Sequence, residues 1–500
     1  MTPVYLVIDI GKTNKKILVY DKNLKIQFIR KTQIGTYLHD ELDVEDVAAI
    51  ERWLISQLAE LSRIYHITGI SISTHGAMAV CVGDDGLPCV PPLAYTNEIT
   101  KEIRDDFYNT MGTVGALQEE TATAEIKPLV NVGKLLWYAK QLYPREFERI
   151  VHVLFYPQYF GFRLTGRVAA DITSIGAHTY LWNFKLANWS DMVGKLGLID
   201  KLPQHPLVPF ESIGTISTVV SELTGLPTDT PVTAGVHDSN ASLIPYLIKK
   251  GNGFVLNSTG TWCVAMHPQE EITFTEEERG NLVYYNLSYR SQPVKTSIVM
   301  AGLEYETWLE IIQTHHDRDD RPQFDLETYR SITEENSRFL YPSVMPGTGQ
   351  FPDSISRIVE KRDVITLDEI QSGNQIPDFF SDYNLSLAVL NLSVAIQSQV
   401  AIQRVGILPG EEIFTEGGFC RNEHYNILIR SLFPNNPVFT TSLDEATGFG
   451  AALCCKAMVE YCSPEDLAHY VVLDRNEIDH VEIPGLNSYV DKWNTGLNGS

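Results

Sequence analysis

The sequence predicts an α/β protein made of two related units that face a central cleft. Three observations carry this. First, 500 residues exceed what one hydrophobic core organises. Second, one order of elements occurs twice: hairpin, third strand, helix, strand, glycine turn. Third, each hairpin turn is rich in amides, hydroxyls and glycine, so two such turns facing each other can share one anion. The division falls at 1–247 and 248–500.

In the first copy, Val4 to Ile10 is an apolar, β-branched strand containing Asp9. Gly11-Lys12-Thr13-Asn14 is a turn, and Lys16 to Tyr20 returns. A second turn leads to a third strand, Leu24 to Thr32. A helix is expected from Asp43 to about Arg63, capped by Asp43, with Val44, Val47, Leu54 and Leu58 on its apolar face. Ile67 to Ser73 is a short buried strand closed by Thr74-His75-Gly76. The second copy runs Phe254 to Asn257, the turn Ser258-Thr259-Gly260-Thr261, then Trp262 to Met266. Leu282 to Ser288 is read as its third strand, Leu385 to Val405 as its helix, and Glu412 to Thr415 as the strand before Glu416-Gly417-Gly418.

Between the copies, Lys127 to Leu142 reads as a helix and Val151 to Phe155 as a strand. A helix follows to Leu164, stopped by Thr165-Gly166. Asp171 to Thr179 suits a loop beneath a ligand. Region 304–380 is weakly patterned and reads as a surface excursion.

Composition excludes several classes. The net charge is −24, from 39 basic and 63 acidic residues, which opposes nucleic acid or an anionic membrane as partner. No stretch approaches the ~18–20 apolar residues of a membrane span. The seven cysteines form no CxxC and no metal spacing, which suits reduced thiols in a cytoplasmic protein. An anionic ligand is not excluded, since a nucleotide phosphate needs only a local nest of amides and one or two cations; the oligomeric state stays open between monomer and homodimer.

The motifs each admit two readings. Asp238 falls where a helix N-cap is expected, ahead of Ala241, Leu243, Ile244 and Leu247. It is either only a cap or a base whose anion the helix dipole favours. Gly11-Lys12-Thr13 lacks the upstream glycine of a P-loop, since that position is Leu6, and it joins two strands. It is an ordinary polar hairpin or a phosphate cradle. Asp9, at the end of a buried strand, pairs with Lys16 or Lys12, or faces a Mg²⁺ ion. His75-Gly76 and His237 are core groups or contacts to sugar hydroxyls. Gly417-Gly418-Phe419 permits close approach to a flat ring, with Asn422 at its edge. A dinucleotide fingerprint is absent after the first strand.

Jointly and in order, these segments resemble the FGGY carbohydrate kinase family. Asp9-Ile10-Gly11-Lys12-Thr13-Asn14-Lys15-Lys16 is similar to its phosphate hairpin, and Gly235-Val236-His237-Asp238 to its catalytic-base segment. Ser258-Thr259-Gly260-Thr261 resembles its second phosphate turn. Tyr159 through Thr179 resembles its middle segment, and Gly417-Gly418 with Glu445 to Ala452 its adenine-site glycines and C-terminal helix. The resemblance implies two ribonuclease H-like domains of the actin/hexokinase ATPase type, ATP and Mg²⁺ in the cleft, and phosphorylation of a sugar hydroxyl. It makes Asp238 the base and gives Asp9 to the metal. Gly11, Lys12, Thr13, Asn14, Lys16, Thr259, Gly260 and Thr261 then serve the phosphates. Gly417, Gly418, Phe419 and Asn422 serve adenosine, and His75, Gly76, Asn97 and His237 the sugar. Two departures stand out: Lys12 replaces a threonine, and the family's Trp-x-Asp-x-Arg appears as Tyr95-Thr96-Asn97-Glu98-Ile99. The second favours a deoxyketose such as L-fuculose or L-rhamnulose. A sensor or regulatory ATPase of actin type is the alternative.

Overall fold

Leu6 to Ile8 are buried on both faces, as a strand between two covered layers must be. In the computed structural model, which describes residues 2–126, 130–280, 283–441, 443 and 445–497, this strand is central to the first of two large sheets. Pro3–Ile10 pairs antiparallel with Lys15–Asp21, which pairs with Ile26–Thr32. On its other side lies His66–Thr74, parallel, then Pro231–Thr233, also parallel. The second sheet repeats this pattern. Phe254–Thr259 pairs antiparallel with Cys263–Pro268, which pairs with Pro293–Val299. Glu412–Gly417 and Val438–Thr441 follow in parallel on the other side. The doubled α/β architecture expected from the repeat is therefore present.

The third strand of the second copy is corrected. Pro293–Val299 is the counterpart of Ile26–Thr32, because it pairs with the returning hairpin strand. Val283–Leu287, the described part of the expected segment, pairs outside it as an added edge strand; Leu282 lies outside the described residues. The first helix runs Val47–Leu61 with Asp46 as its cap, accepting from the Ala49 N–H. Asp43 instead lies in a short strand, Leu42–Glu45, paired with Thr36–His39. Backbone pairing there outcompetes a helical first turn. The helix expected from Lys127 begins at Val132, after the cap Asn131; Lys127 itself lies outside the described residues. Asp171 caps a single turn, Ile172–Ile175, where a loop was expected.

Region 304–380 is no surface excursion. It holds most of the Ala301–His316 helix, the Leu326–Glu335 helix and a three-stranded sheet. Trp308, Tyr329, Phe339 and Ile358 are fully or nearly fully buried in the second unit's core. Its weak pattern arises because these elements are short and covered on several sides. The Tyr383–Arg404 helix corrects the membrane expectation: it is long and apolar enough to span a bilayer, but 89% of its apolar window is buried inside the protein. It is the central helix of that core.

Two helices form the seam between the sheets. Asp238–Lys250 follows the last strand of the first unit, and Ala446–Glu460 returns from the second. They cross in direct backbone contact: a Cβ at Gly450 would sit 1.8 Å from the Ala241 carbonyl oxygen. Around them Tyr5, Val7 and Leu18 share one core with Phe254, Leu256 and Phe414. The two sheets are thereby fixed about a common axis, with their hairpins at one end.

Candidate active site

Strand register brings the first set of residues together. Asp9 pairs with Ser73, which pairs with Val236; Ile10, Thr74 and His237 form the next row. Neighbouring strands lie ~4.8 Å apart, so Gly11, His75 and Asp238 emerge from three adjacent strand ends. Gly235, at φ 89°, breaks the last strand and lets Val236–His237 resume pairing.

Asp238 is the first residue of its helix and not its cap; His237 holds the cap position. The reason is the Val236–His237 strand, which keeps the backbone extended one residue further than expected. The Asp238 carboxylate accepts at Oδ1 from the Ser239 N–H (2.7 Å) and lies 3.3 Å from His237 Nε2. Its side chain is 31% exposed, so it is neither sunk in the core nor lost to solvent. Asn240 Nδ2 lies 3.0 Å from His237 Nδ1. When the amide donates there, the ring proton sits on Nε2, facing Asp238. Burial holds His237 below the usual histidine range, so the ring is neutral. The turn is braced from behind: the His237 N–H donates to Thr173 Oγ1, which donates to the buried Asp171. Gly76 is required here, because a Cβ would meet His237 Nε2 at 2.6 Å.

These groups open onto a cavity of about 240 Å³ between the two sheets. His75, Gly76, Tyr95, His178, His237 and Asp238 line it from the first half; Trp262, Val264, Tyr284, Asn286 and Ile298 line it from the second. His75 Nδ1 faces the Gly76 carbonyl at 3.0 Å, and its Nε2 has no hydrogen-bond partner. Ala77 and His178 hold positive φ angles of 54° and 55°, at a cost of about 1–2 kcal/mol each for residues that carry a Cβ. Asn97 does not reach the cavity. Its amide clamps the backbone of Asp43 and Ala94, so its expected sugar contact is corrected to a structural role. Tyr95, two residues earlier, is the one that lines the site.

Asp9 is 5% exposed, and its nearest cation is Lys16 Nζ at 3.6 Å. Burial pushes its carboxyl up to about 7, against the pull of Lys16. Lys16 is shared with Glu445 at 2.5 Å, which also takes Lys31 at 2.8 Å, so this cluster ties the first hairpin to the returning helix. The Lys12 ammonium pairs with the buried Glu45 at 2.5 Å and lies over the Tyr95 ring, so it is engaged away from the turn. Thr13 and Asn14 are exposed at the tip, and the Gly11 N–H donates to the Asn14 carbonyl. Among the described residues, no group of three or more His, Cys, Asp or Glu is arranged for a metal.

The second turn leads into Trp262, which lines the same cavity as Asp238. Gly260 and Thr261 are exposed, and the Gly260 N–H closes the turn on the Trp262 carbonyl. Thr259 is corrected: its hydroxyl accepts from the Phe419 N–H and donates to the Glu416 carbonyl, leaving it a brace and not a ligand-facing group. Gly417, at φ 82°, touches this strand, since a Cβ there would sit 2.0 Å from the Thr259 oxygen. Asn422 caps the Glu423–Leu432 helix and donates to Asn391 Oδ1, so its amide is also engaged. It lines a second pocket of about 170 Å³ with Tyr305, Leu309, Leu387 and Asn391. The Phe419 ring joins that pocket to the glycine turn through Tyr305, at 5.3 Å. Sequence reasoning missed Tyr305 and Leu309 because they lie in the region read as surface. His178 stood inside the polar 171–179 run and was not singled out.

Known proteins share this arrangement. Residues 4–245 match the model of the FGGY family of carbohydrate kinases, N-terminal domain, and 251–463 that of the carbohydrate kinase FGGY, C-terminal domain. The chain is 26% identical over 281 residues to an L-fuculokinase of Salmonella typhi, covering 53% of this chain and 56% of that one. The match to a probable L-xylulose kinase of Pasteurella multocida, 26% identical, spans 47% of this chain and 50% of the relative. Thus the chain matches about half the length of these relatives. A xylulose kinase of Staphylococcus xylosus is 21% identical over 89% of both chains. Among solved structures, a carbohydrate kinase from Novosphingobium aromaticivorans superposes with a TM-score of 0.80 at 23% identity, covering all of both chains. A Plasmodium falciparum glycerol kinase with ADP superposes with a TM-score of 0.80 at 15% identity, covering 100% of this chain and 98% of that one. The two family models together take in nearly the whole chain, and the chain belongs to the FGGY family of carbohydrate kinases.

Proposed function

We propose that this protein is an ATP-dependent sugar kinase that phosphorylates a hydroxyl of a ketose or polyol. The observation that carries this is the position of Asp238: a half-buried carboxylate at a helix start, opening onto a cavity walled by both sheets. A hydroxyl seated there lies within reach of Oδ1 and of the His237 Nε2 proton. Asp238 takes the hydroxyl proton as the oxygen attacks, and His237 and its Asn240 and Thr173 braces fix the carboxylate's direction. The exposed residues Thr13 and Asn14 of the first turn and Thr261 of the second support phosphate from two sides. The pocket of Tyr305, Leu309 and Asn422 suits a purine beside the Gly417-Gly418 turn.

Asp9 fits a hydrated Mg²⁺ ion, being a buried carboxyl with one cation 3.6 Å away and a position at the hairpin base. When bound, the metal supplies neutralisation of phosphate charge. Lys16, held by Glu445, stays beside it.

The acceptor cavity is mixed. Ile126, Val264 and Ile298 give an apolar wall, while three histidines and an asparagine give polar atoms. A deoxyketose such as L-fuculose or L-rhamnulose matches that mixture, and several relatives carry such names. The test is a coupled ADP-release screen across ketoses and polyols. We expect sugar-dependent turnover, and Asp238→Ala should lower kcat by about 10³-fold or more while ATP still protects against thermal unfolding. ATP hydrolysis indifferent to every sugar would instead mark a sensor ATPase.

A further inference from the structure

The added edge strand Val283–Leu287 has no counterpart in the first copy, and it carries Asn286 to the acceptor cavity. Asn286 is 1% exposed, and neither amide atom has a hydrogen-bond partner. His178 reaches the same cavity from the other half of the chain, and both of its ring nitrogens are buried and unpartnered. Packing brings the two together. Gly176 lies against Leu287, where a Cβ would come within 2.8 Å, and the His178 ring is 5.5 Å from Tyr284. Four polar atoms without partners, in two side chains at least nine-tenths buried, are costly in a closed core. On the wall of a sugar cavity they are donors and acceptors that a ligand can satisfy.

We propose that Asn286 and His178 are specificity-determining residues that hydrogen-bond hydroxyls of the acceptor sugar, one from each half of the chain. The amide offers one acceptor and two donor hydrogens. Neutral imidazole offers one of each. A pair of neighbouring hydroxyls, each both donor and acceptor, matches this set, whereas a methyl or methylene leaves it unfilled. Burial keeps His178 far below the usual histidine range, at about 3, so the ring meets the sugar uncharged. This rests on the kinase reading above, because it needs the cavity beside Asp238 to be the acceptor site.

The experiment uses the full-length protein with L-fuculose, L-rhamnulose, D-xylulose and L-xylulose. Asn286→Leu and His178→Phe keep volume and remove the polar atoms; Asn286→Gln restores an amide. We expect the acceptor KM to rise about tenfold in each apolar variant. The KM for ATP should stay within twofold, kcat should change little, and Asn286→Gln should recover part of the loss. Acceptor KM values within twofold of wild type in both apolar variants, or an equal rise in the KM for ATP, overturn the proposal. Should Asn286→Leu fail to fold, Asn286→Thr is read by the same criteria. Sugar binding is followed separately by tryptophan fluorescence, since Trp262 lines the cavity. Sugars that bind without being phosphorylated, and bind about tenfold more weakly to the variants, would support these residues while refuting the kinase. A wild-type protein that neither binds nor phosphorylates any of them overturns both.

Discussion

Each copy of the repeat buries one carboxyl at the mouth of its sheet, and the two are treated differently. In the first copy it is Asp9, on the first strand, paired across the hairpin with Lys16 and along the sheet with Ser73. In the second copy the equivalent row is Ser258, Val264 and Glu416, so the carboxyl has moved to the neighbouring strand. Burial pushes both up to about 7. Glu416 is surrounded by hydroxyls: Tyr246 donates at 3.0 Å, and Ser258 and Ser242 also favour its anion. Asp9 has Lys16 at 3.6 Å, while the carboxylates of Asp238 and Glu445 add to the upward push of burial. One strand end is closed by neutral donors and braces the seam helix through Tyr246. The other is left for positive charge. A symmetric fold thus acquires a polarity, and the carboxyl we propose for the cation lies on one side of the cleft.

The largest expected effect tests that polarity directly. Asp9→Asn removes the group we propose faces Mg²⁺ and should lower Mg-ATP-dependent kcat/KM by at least about 100-fold. Without ligand the same variant should be no less stable than wild type, because it deletes a buried charge held by one distant partner. Glu416→Gln should leave kcat/KM within about threefold and register in thermal stability alone. Equal kinetic losses in the two variants would erase the distinction.

Glycines give the second comparison. Gly417 has φ 82°, and a Cβ there would lie 2.0 Å from a backbone oxygen of the opposing turn. Nothing flexible can give way. Gly417→Ala should therefore destabilise the protein by at least about 3 kcal/mol in chemical denaturation. At Gly11 the nearest atom would be the Asn14 oxygen, at 3.1 Å, and φ is not positive. Gly11→Ala should cost about 1 kcal/mol or less and act on phosphate binding instead. A Gly417→Ala protein as stable as Gly11→Ala would mean the second turn is not under steric control.

Much of this architecture was legible in the residues. Apolar strands such as Val4–Ile10, turn residues and the duplicated order are local signals, and they located both hairpins, the Tyr383–Arg404 helix and Asp238. What failed were matters of pairing. Leu282 to Ser288 and Pro293–Val299 are both good strands, and only the sheet decides which lies next to the hairpin. Asp43 reads as the cap, but a two-stranded pairing takes up Leu42–Glu45 and the helix is capped by Asp46. Gly11, His75 and Asp238 emerge side by side at strand ends because register follows from the repeat. The side chains of Lys12, Asn97 and Thr259 are engaged by partners distant in the chain: Glu45, the Asp43 backbone and the Glu416 carbonyl. No spacing in the sequence reveals such prior engagement. The cavity wall of Tyr284 and Asn286 was hidden for the same reason, since it rests on an edge strand that only the folded sheet brings to the cleft.

The last comparison concerns pH, and it separates the two carboxyls by what happens when each is neutralised for good. Glu416 keeps its proton up to about 7 in the folded chain, whereas an unfolded glutamate loses it near 4.5. Between those values the native state binds more protons than the unfolded state. The unfolding free energy therefore falls as pH rises from about 4.5 to 7, then levels off. Asp9 adds a similar slope, starting near 4. In ligand-free protein, Glu416→Gln and Asp9→Asn should each flatten the curve, by up to about 3 kcal/mol over that interval. The comparison sharpens when Mg-ATP is added. A cation at Asp9 favours its anion, so the ligand should flatten the wild-type curve by Asp9's share and leave the share of Glu416 untouched. In Asp9→Asn protein the ligand should then change the slope very little. Urea midpoints at pH 5, 6, 7 and 8, with and without Mg-ATP, measure this. A ligand-induced flattening that persists in Asp9→Asn but disappears in Glu416→Gln would place the cation on the wrong side of the cleft.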